Sequence, residues 1–533
     1  MASNNDTIPA FAPTAVDEIP VLVDTARSTF RTGRTKDIQY RLVQLRKLYW
    51  GIVDNTHLME EALMKDLGKC AYEANISEID WCKKECIDLI DNLETWAKDD
   101  KVVGVPLHFR IMNYRIRHEP LGVVLAIGAY NYPFQLLLVT VAGAMAAGNC
   151  VIAKPSESSP HSAMVIDKIF REYLDPDCFA CVNGMVPASQ RLLDCKFDKI
   201  AFIGGNKTGT IIAKKAAETL TPVLLELGGC NPAFVTRNAN IKLAARRILF
   251  MKSMNAGQIC LSHNYVLVER SVLSPLIAAL NEQLRTFMPK GTKASPDYAR
   301  IVNKVQFDRI KKMLDSTRGR IVLGGKMDES QLFMEPTAVL VEDIDDPVVV
   351  EETFGPLFSI IAWDRLDDAI NIANKIDPTP LALFAFGSDE ENKKILDNVT
   401  SGGATCNDSF LHSQINAAPM GGVGSSGMGN YHGYYSFKAF SHQRTVCNVP
   451  YWADRLLNVR YMPYSMPELR RFQRMSHKRP NFDRNGKVIK GLGYWIRVVL
   501  GLGGKSATGS LMRWVVVFAA AAFAGVQQGY ISR

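Results

Sequence analysis

Three short runs that are apolar on both faces constrain the fold of this chain more than any other feature. They read LGVVLAIGA at residues 121–129, VIAK at 151–154 and IAFIGG at 200–205. Strands that are buried on both sides of a parallel sheet have this continuous apolar pattern. Stretches with helical spacing lie between them, at residues 134–147 and 160–173. This alternation of strand, crossover helix and strand predicts a doubly wound α/β domain.

A second α/β pattern begins near Glu226, with strands expected at residues 337–341 and 358–362. The chain has 533 residues, more than one hydrophobic core usually supports, so two or more domains are expected. We therefore predict an α/β fold with two doubly wound domains, at residues 21–225 and 226–430.

The N-terminal part of the chain precedes the first of these strands. Residues 1–20 contain acids and prolines but no apolar core run, so they predict a flexible leader rather than a secretory or transit peptide. Residues 19–50 and 58–98 have helical spacing, with Leu42, Leu45 and Leu48 beside a charged face that includes Arg41. We expect helices that cover the sheet.

The C-terminal part is basic and the rest of the chain is not. The net charge is +8, yet from residue 451 onward 14 Lys or Arg stand against Asp454, Glu468 and Asp483. Residues 451–490 are basic and poorly periodic, which predicts a basic surface extension. No nucleic-acid-binding module is recognisable there, so we expect no nucleic-acid partner.

Residues 491–533 predict a membrane-associated tail. An uncharged stretch starts at Trp514 with WVVVFAAAAFAGV and ends at Ser532, and nineteen helical residues would span about 28 Å, close to the thickness of a bilayer core. A single span and a helix lying along the membrane surface are both open, because much of the run is alanine. Basic residues before it favour an anionic leaflet. The eleven cysteines have no disulfide-framework spacing, which is typical of a reducing compartment, so we expect the folded body of the chain to face the cytosol.

The segment AFIGGNKTG joins a buried strand to a helix that is expected to begin near Thr208. Backbone N–H groups at a helix N-terminus favour anions, so Gly204, Gly205 and Gly209 predict a nucleotide phosphate site. Their spacing is not GxGxxG, and a simple tight turn is the alternative.

Two further residues have chemistry that suits a catalytic site. Glu226 follows an apolar strand and precedes two glycines, where a carboxylate with a raised pKa is suited to act as a general base. Cys260 lies in NAGQICLS, between a helical segment and a strand, where a thiol is suited to act as a nucleophile. An ordinary buried cysteine is the alternative for Cys260.

Together these segments resemble the aldehyde dehydrogenase superfamily. The resemblance rests on EPLGVVLAIGAYNYPF, VIAKPSE, FIGGNKTG, LELGG, NAGQIC, EETFGPLF and GGVGSSGMGNYHGYYSFKAFSHQR, which cover roughly residues 25 to 447. The last segment is similar to the class 3 branch, which includes fatty aldehyde dehydrogenases with C-terminal membrane tails. The segments VPYWADRLLNVRYMPY and NFDRNG resemble fungal members that oxidise fatty aldehydes or apo-carotenals.

The resemblance implies three catalytic roles. Cys260 would attack the aldehyde as a thiolate, and the Asn131 amide with the Cys260 backbone N–H would hold the oxyanion. Glu226 would activate water to hydrolyse the resulting thioester. The substrate implied is a long apolar aldehyde, either a fatty aldehyde or an apo-carotenal, which is converted to the acid.

The resemblance also implies a dinucleotide site. Six positions match it: Lys154 and Glu157 at the adenine ribose, Gly204 and Gly209 at the pyrophosphate, and Glu352 with Phe354 at the nicotinamide. A Glu that faces the ribose repels a 2′-phosphate, so NAD is favoured, with NADP as the alternative. No metal is expected, because the histidines have no ligand spacing.

The resemblance further implies a homodimer, formed by a β arm drawn from residues 105–119 and 431–450. Cys230 stands where the family usually has Lys, and its thiol would inactivate Cys260 by a disulfide if the two were close. Two other functions stay open: an acylating dehydrogenase that passes the thioester to coenzyme A, and an inactive membrane scaffold.

Overall fold

The structure is a computed structural model that describes residues 7–476, 480–501 and 507–527. Parts of the predicted leader and tail, residues 1–6, 502–506 and 528–533, lie outside the described residues.

The strands of the described chain are β1 (Asp100–Lys101), β2 (Arg115–Pro120), β3 (Val123–Ile127), β4 (Cys150–Lys154), β5 (Phe179–Cys181), β6 (Lys199–Gly204), β7 (Val223–Leu227), β8 (Pro232–Val235), β9 (Tyr265–Glu269), β10 (Arg320–Leu323), β11 (Met327–Asp328), β12 (Phe333–Met334), β13 (Thr337–Val341), β14 (Leu357–Trp363), β15 (Ala382–Phe386), β16 (Gly403–Cys406), β17 (Gly427–Met428) and β18 (Ser441–Val446). The α-helices are α1 (Glu18–Arg31), α2 (Ile38–Asp54), α3 (Thr56–Leu67), α4 (Ala71–Ala74), α5 (Asp80–Trp96), α6 (Pro133–Ala146), α7 (Pro160–Tyr173), α8 (Val186–Asp194), α9 (Asn206–Ala217), α10 (Ile241–Ser253), α11 (Leu273–Phe287), α12 (Lys304–Ser316), α13 (Pro347–Val350), α14 (Leu366–Ile376), α15 (Asp389–Asn398), α16 (Gly433–Ala439), α17 (Asp454–Leu457), α18 (Met466–Ser476), α19 (Leu492–Gly501) and α20 (Ala507–Gln527).

The first sheet has six strands in the order β17-β7-β6-β3-β4-β5. Strands β3 to β7 are parallel, and the helices α6, α7, α8 and α9 connect them in turn. The chain moves from β3 outward to β5 and then returns to the other side of β3 at β6. This reversal makes a crevice at the carboxyl ends of β3 and β6, where ligands bind in open α/β sheets.

The second sheet has seven strands in the order β10-β13-β14-β9-β8-β15-β16. Only β10 is antiparallel to its neighbour among these strands. The strands expected at residues 337–341 and 358–362 are β13 and the centre of β14. The predicted α/β fold is confirmed, and both of its sheets are mixed rather than purely parallel.

The N-terminal helices cover the first sheet as predicted, with one residue misplaced. Leu42, Leu45 and Leu48 are buried on α2. Arg41, however, belongs to the buried face and not to the charged surface. Its guanidinium donates to the carbonyls of Thr35 at 2.7 Å and Ala146 at 3.3 Å, so backbone acceptors satisfy a cation that the periodicity alone placed in water.

A third sheet joins β1, β2 and β18, with β18 at its edge. Strand β2 lies inside the predicted arm segment 105–119 except for Pro120, and β18 lies inside the segment 431–450. The domain boundaries given above stay predictions.

The described residues form two compact units. One comprises the chain up to Lys101 together with Arg115–Val446, and the other comprises Val102–Tyr114 and the residues from Cys447 onward. The second unit contains α17 to α20, so the extension predicted at 451–490 includes an eleven-residue helix, α18. Within the described ranges, no helix is both long enough and apolar enough to cross a membrane. The span considered for the tail is therefore not found there.

Candidate active site

Cys260 lies in a tight segment between α10 and β9. A 3-10 turn at Met254–Gly257 precedes it, and Asn255 and Ala256 in this turn have positive φ values of 51° and 48°. The amide of Asn231 donates to the Cys260 carbonyl at 2.7 Å, which fixes the residue from the other side. The backbone is held at both ends, so the thiol has a defined direction.

Glu226 lies within β7 and not after it as the sequence indicated, and it lines the same pocket as Cys260. Burial raises the pKa of Glu226 to about 7, although the neighbouring Cys260 thiol opposes this rise. Burial, with the nearby Glu226 carboxylate, also raises the pKa of Cys260 well above its usual value. Near neutral pH the Cys260 thiol is therefore protonated, and the Glu226 carboxyl is about half ionised.

Asn131 follows β3, and two hydrogen bonds attach it to the segment of Cys260. Its Nδ2 donates to the carbonyl of Gln258 at 3.1 Å, and its own carbonyl accepts from Nδ2 of Asn255 at 2.8 Å. An amide nitrogen has two hydrogens, so within the described residues one N–H of Asn131 stays available for a substrate oxygen. The structure brings together the three residues that the sequence predicted as catalytic.

A pocket opens beside this trio, and its walls are mostly apolar and aromatic. Besides Cys260 and Glu226 the lining consists of Ser77, Trp81, Tyr132, Gln135, Leu136, Ile259, Leu261, Phe410, Ser413, Met420, Tyr431 and His432. Trp81 packs edge-on against Phe410, with ring centroids 6.3 Å apart. Sequence reasoning did not identify this pocket, because its walls come from separate segments. Five lining residues lie in motifs that the sequence analysis quoted, but none was assigned to a pocket there: Tyr132, Ile259, Leu261, Tyr431 and His432.

The predicted dinucleotide residues lie at the crevice of the first sheet. Lys154 ends β4, and its Nζ donates to Glu157 at 2.9 Å. Gly204 ends β6, and Gly209 lies in the first turns of α9, which begins at Asn206. Apart from its two chain neighbours, no described residue would lie within 4 Å of a Cβ at Gly205, so there is open space at this helix N-terminus. The residues present therefore fit a dinucleotide with its pyrophosphate at α9.

The residues predicted for the nicotinamide end lie at the other side of the crevice. A Cβ at Gly228 would be 2.1 Å from Oε2 of Glu352, so only glycine allows this carboxyl to come so close. Burial raises the pKa of Glu352 to about 7, although the Gly229 N–H opposes the rise. Phe354 has a φ of 41°, and Arg309, which the sequence did not reveal, donates to the Glu352 carbonyl at 3.0 Å.

Cys230 does not form the disulfide that the sequence left open. Cys230 and Cys260 are both free thiols in the part of the chain that the structure describes. The Cys230 sulfur instead donates to the carbonyl of Val350 at 3.6 Å. His412 hydrogen-bonds through Nδ1 to the Thr405 hydroxyl at 2.8 Å.

Comparisons with known proteins identify the family to which this chain belongs. The model of the aldehyde dehydrogenase family matches residues 2–446. The beta-apo-4'-carotenal oxygenase of Gibberella fujikuroi is 62% identical over 100% of this chain and 99% of its own, and aldehyde dehydrogenase family 3 member B1 of Bos taurus is 40% identical over 83% of this chain and 94% of its own. The substrate-bound structure of Staphylococcus aureus AldH has a TM-score of 0.79 at 36% identity, covering 83% of this chain and 99% of that one. The chain belongs to the aldehyde dehydrogenase family and is an oxidoreductase that acts on aldehydes.

Proposed function

We propose that this chain oxidises long apolar aldehydes to carboxylic acids, with Cys260 as nucleophile and Glu226 as base. The observation that carries the proposal is that Cys260 and Glu226 line one mostly apolar pocket, and that the Asn131 amide is hydrogen-bonded to Gln258, two residues before Cys260.

The chemistry follows from these groups. The Cys260 thiol loses its proton to solvent water, the sulfur bonds to the carbonyl carbon, and the π electrons move to the oxygen, where the Asn131 amide stabilises the negative charge. A bound dinucleotide supplies the acceptor for the hydride that leaves this carbon, and a thioester on Cys260 remains. Glu226 then takes a proton from water, whose oxygen bonds to the acyl carbon while the C–S bond breaks and the acid leaves.

The family uses NAD or NADP, and we propose NAD for this chain. Glu157 and Lys154 form an ion pair at the end of β4, where the adenine ribose is expected. The Glu157 carboxylate is suited to accept from a 2′-hydroxyl and repels a 2′-phosphate. NADP stays the alternative, because Lys154 offers a cation at the same place.

Apo-carotenals and fatty aldehydes are the two substrate classes to compare. The relative from Gibberella fujikuroi is named for an apo-carotenal, and the Bos taurus relative is an aldehyde dehydrogenase of family 3. Aromatic walls such as Trp81, Phe410 and Tyr431 suit a flat conjugated chain as well as an alkyl chain.

The test is NADH formation with a panel of alkyl, alkenyl and apo-carotenoid aldehydes. Cys260→Ala should abolish it, while Cys195→Ala, a matched change of another partly exposed cysteine, should retain it. Undiminished turnover by Cys260→Ala would refute the assignment.

We also propose a homodimer and attachment to a membrane surface, with the catalytic unit in the cytosol. Strand β18 is the edge of its sheet, and an edge strand offers unpaired backbone groups to a neighbouring copy. In the tail, Met512 and Phe518 on α20 are 70% and 65% exposed, and such apolar side chains favour a lipid surface.

A further inference from the structure

A group of charged side chains is buried behind the catalytic residues, and the chemistry described above does not use it. Lys69 and Glu78 have no exposed surface, and their Nζ and Oε1 atoms are 2.6 Å apart. Glu73 is also buried and lies in the same stretch of chain. Ions withdrawn from water are costly unless they are paired and hydrogen-bonded, so their partners are informative.

Glu78 and Lys69 hold the turn that presents Asn131. The second oxygen of Glu78 accepts from the backbone N–H of Phe134 at 3.0 Å and of Gln135 at 3.4 Å, in the first turn of α6. Lys69 Nζ donates to the Asn131 carbonyl at 3.4 Å. The pair therefore contacts the backbone of Asn131 itself and the start of the helix that follows it.

Glu73 holds the other catalytic segment. Its Oε1 accepts from the backbone N–H of Asn255 at 2.7 Å. Asn255 is one of the two non-glycine residues with positive φ before Cys260, a conformation that persists only when the surroundings impose it. The side chain of Asn255 in turn donates to the Asn131 carbonyl, so both catalytic segments meet at this residue.

A π-helix at Asn75–Ile79 aligns the two glutamates. Residues five apart on an α-helix point about 140° away from each other, because each turn takes 3.6 residues. In a π-helix the hydrogen bonds join residues five apart, and this wider turn after α4 rotates Glu78 towards the side of Glu73. Single π turns of this kind are frequent at functional sites.

We propose that Glu73 and the Lys69–Glu78 pair are positioning residues that set the spacing between the Asn131 amide and the Cys260 segment, and so form the oxyanion site. The inference rests on the proposed roles of Cys260 and Asn131. The three residues act through the backbone and make no contact with the substrate.

The test separates two reactions of the same sulfur. Acylation of Cys260 by p-nitrophenyl acetate forms an S–C bond, breaks the ester C–O bond and passes through an oxyanion. Alkylation by iodoacetamide forms an S–C bond and expels iodide without any oxyanion. Glu73→Met removes the acceptor for Asn255, Glu73→Gln retains it, and Glu85→Met is the matched control, because Glu85 is another buried acid that accepts one backbone N–H, from Gly433 at 2.7 Å.

We expect Glu73→Met to slow the burst of p-nitrophenolate by about 10- to 100-fold, the effect of a displacement of roughly 1 Å at a catalytic group. Glu73→Gln and Glu85→Met should retain the acylation rate, and all variants should retain the alkylation rate. Equal acylation by Glu73→Met and wild type, an equal loss in Glu85→Met, or a parallel loss of alkylation would overturn the proposal. If Glu73→Met does not fold, Lys69→Met with Glu78→Leu takes its place in the same comparison.

A failure of the proposed function would give a different result from a failure of the positioning role. A wild-type enzyme that forms no NADH from any aldehyde would reject that function, whereas the burst of p-nitrophenolate needs no dinucleotide and still reports on the oxyanion site.

Discussion

At the scale of single residues, the ionisation of Glu226 should set the pH dependence of turnover. Its pKa is raised by burial to about 7, and only the ionised carboxyl accepts a proton from water. Between pH 6 and pH 8 the ionised fraction of such a group rises about tenfold, so thioester hydrolysis should rise by the same factor. Single-turnover hydrolysis of the acyl-enzyme, measured across this range, gives the profile. A rate that falls with rising pH would contradict the role of Glu226 as base.

Replacing Glu226 should slow hydrolysis of the acyl-enzyme without slowing the reaction of the Cys260 thiol. Glu226→Gln removes the base for water, so an acyl adduct on Cys260 should accumulate and be visible by mass spectrometry. The same change removes a negative charge that raises the pKa of the Cys260 thiol. Its alkylation by iodoacetamide at pH 7.5 should therefore be as fast as in wild type, or faster. Slower alkylation would indicate that Glu226 activates the thiol, not the water.

The sequence predicts the residues that react better than the residues that support them. Cys260, Glu226 and Asn131 lie in motifs with a recognisable chemical type, and the structure brings them together. Glu73 and Glu78 lie in a helical segment without any such motif. Their alignment depends on a π turn, and a search for a period of 3.6 residues assigns them to different faces.

At the scale of elements, the N-terminus of α9 can be tested through two glycines with different surroundings. A Cβ at Gly209 would lie 2.6 Å from Leu227, so Gly209→Ala should push α9 away from β7 and lower stability by about 1–3 kcal/mol. A Cβ at Gly205 meets no described atom within 4 Å apart from those of its two chain neighbours, so Gly205→Ala should fold normally. Its methyl group would enter the proposed pyrophosphate site and weaken NAD binding.

Thermal unfolding and NAD titration by fluorescence distinguish the two variants. Gly205→Ala should show an unchanged Tm with a raised Kd for NAD, whereas Gly209→Ala should show a lowered Tm. If Gly205→Ala bound NAD with the wild-type Kd, the pyrophosphate of the dinucleotide would not lie at Gly205.

Strands β3, β4 and β6 follow directly from their apolar runs, and their bounds differ from the prediction by at most two residues at each end. The short strands β5 and β17 were not predicted, because two or three residues have no pattern of their own. Strand β17 exists because Gly427 pairs with Glu226 across the edge of the sheet. That pairing stabilises β7, the strand that contains Glu226.

At the scale of the whole molecule, the charge asymmetry of the sequence is its most informative global property. The residues from 451 onward are strongly basic, and the described part of α19 and α20 exposes apolar side chains such as Leu492, Met512 and Phe518. Basic and apolar groups together favour an anionic membrane surface, at about 1 kcal/mol for each basic residue near it.

Flotation with vesicles tests this attachment. The full chain should float with vesicles that contain phosphatidylserine, and less so with neutral phosphatidylcholine or in high salt, because screening weakens the basic contribution. A chain that ends at Lys490 should stay in the dense fraction.

The matched double variant is Val516→Asp with Phe518→Asp, which keeps the length of the tail but places charges on an exposed apolar surface of α20. The shortened chain and the double variant should both oxidise a short soluble aldehyde at the wild-type rate. Both should oxidise a long aldehyde in vesicles more slowly, since only the long aldehyde resides in lipid. Flotation of the shortened chain to the same extent as the full chain would assign membrane binding to another part of the protein.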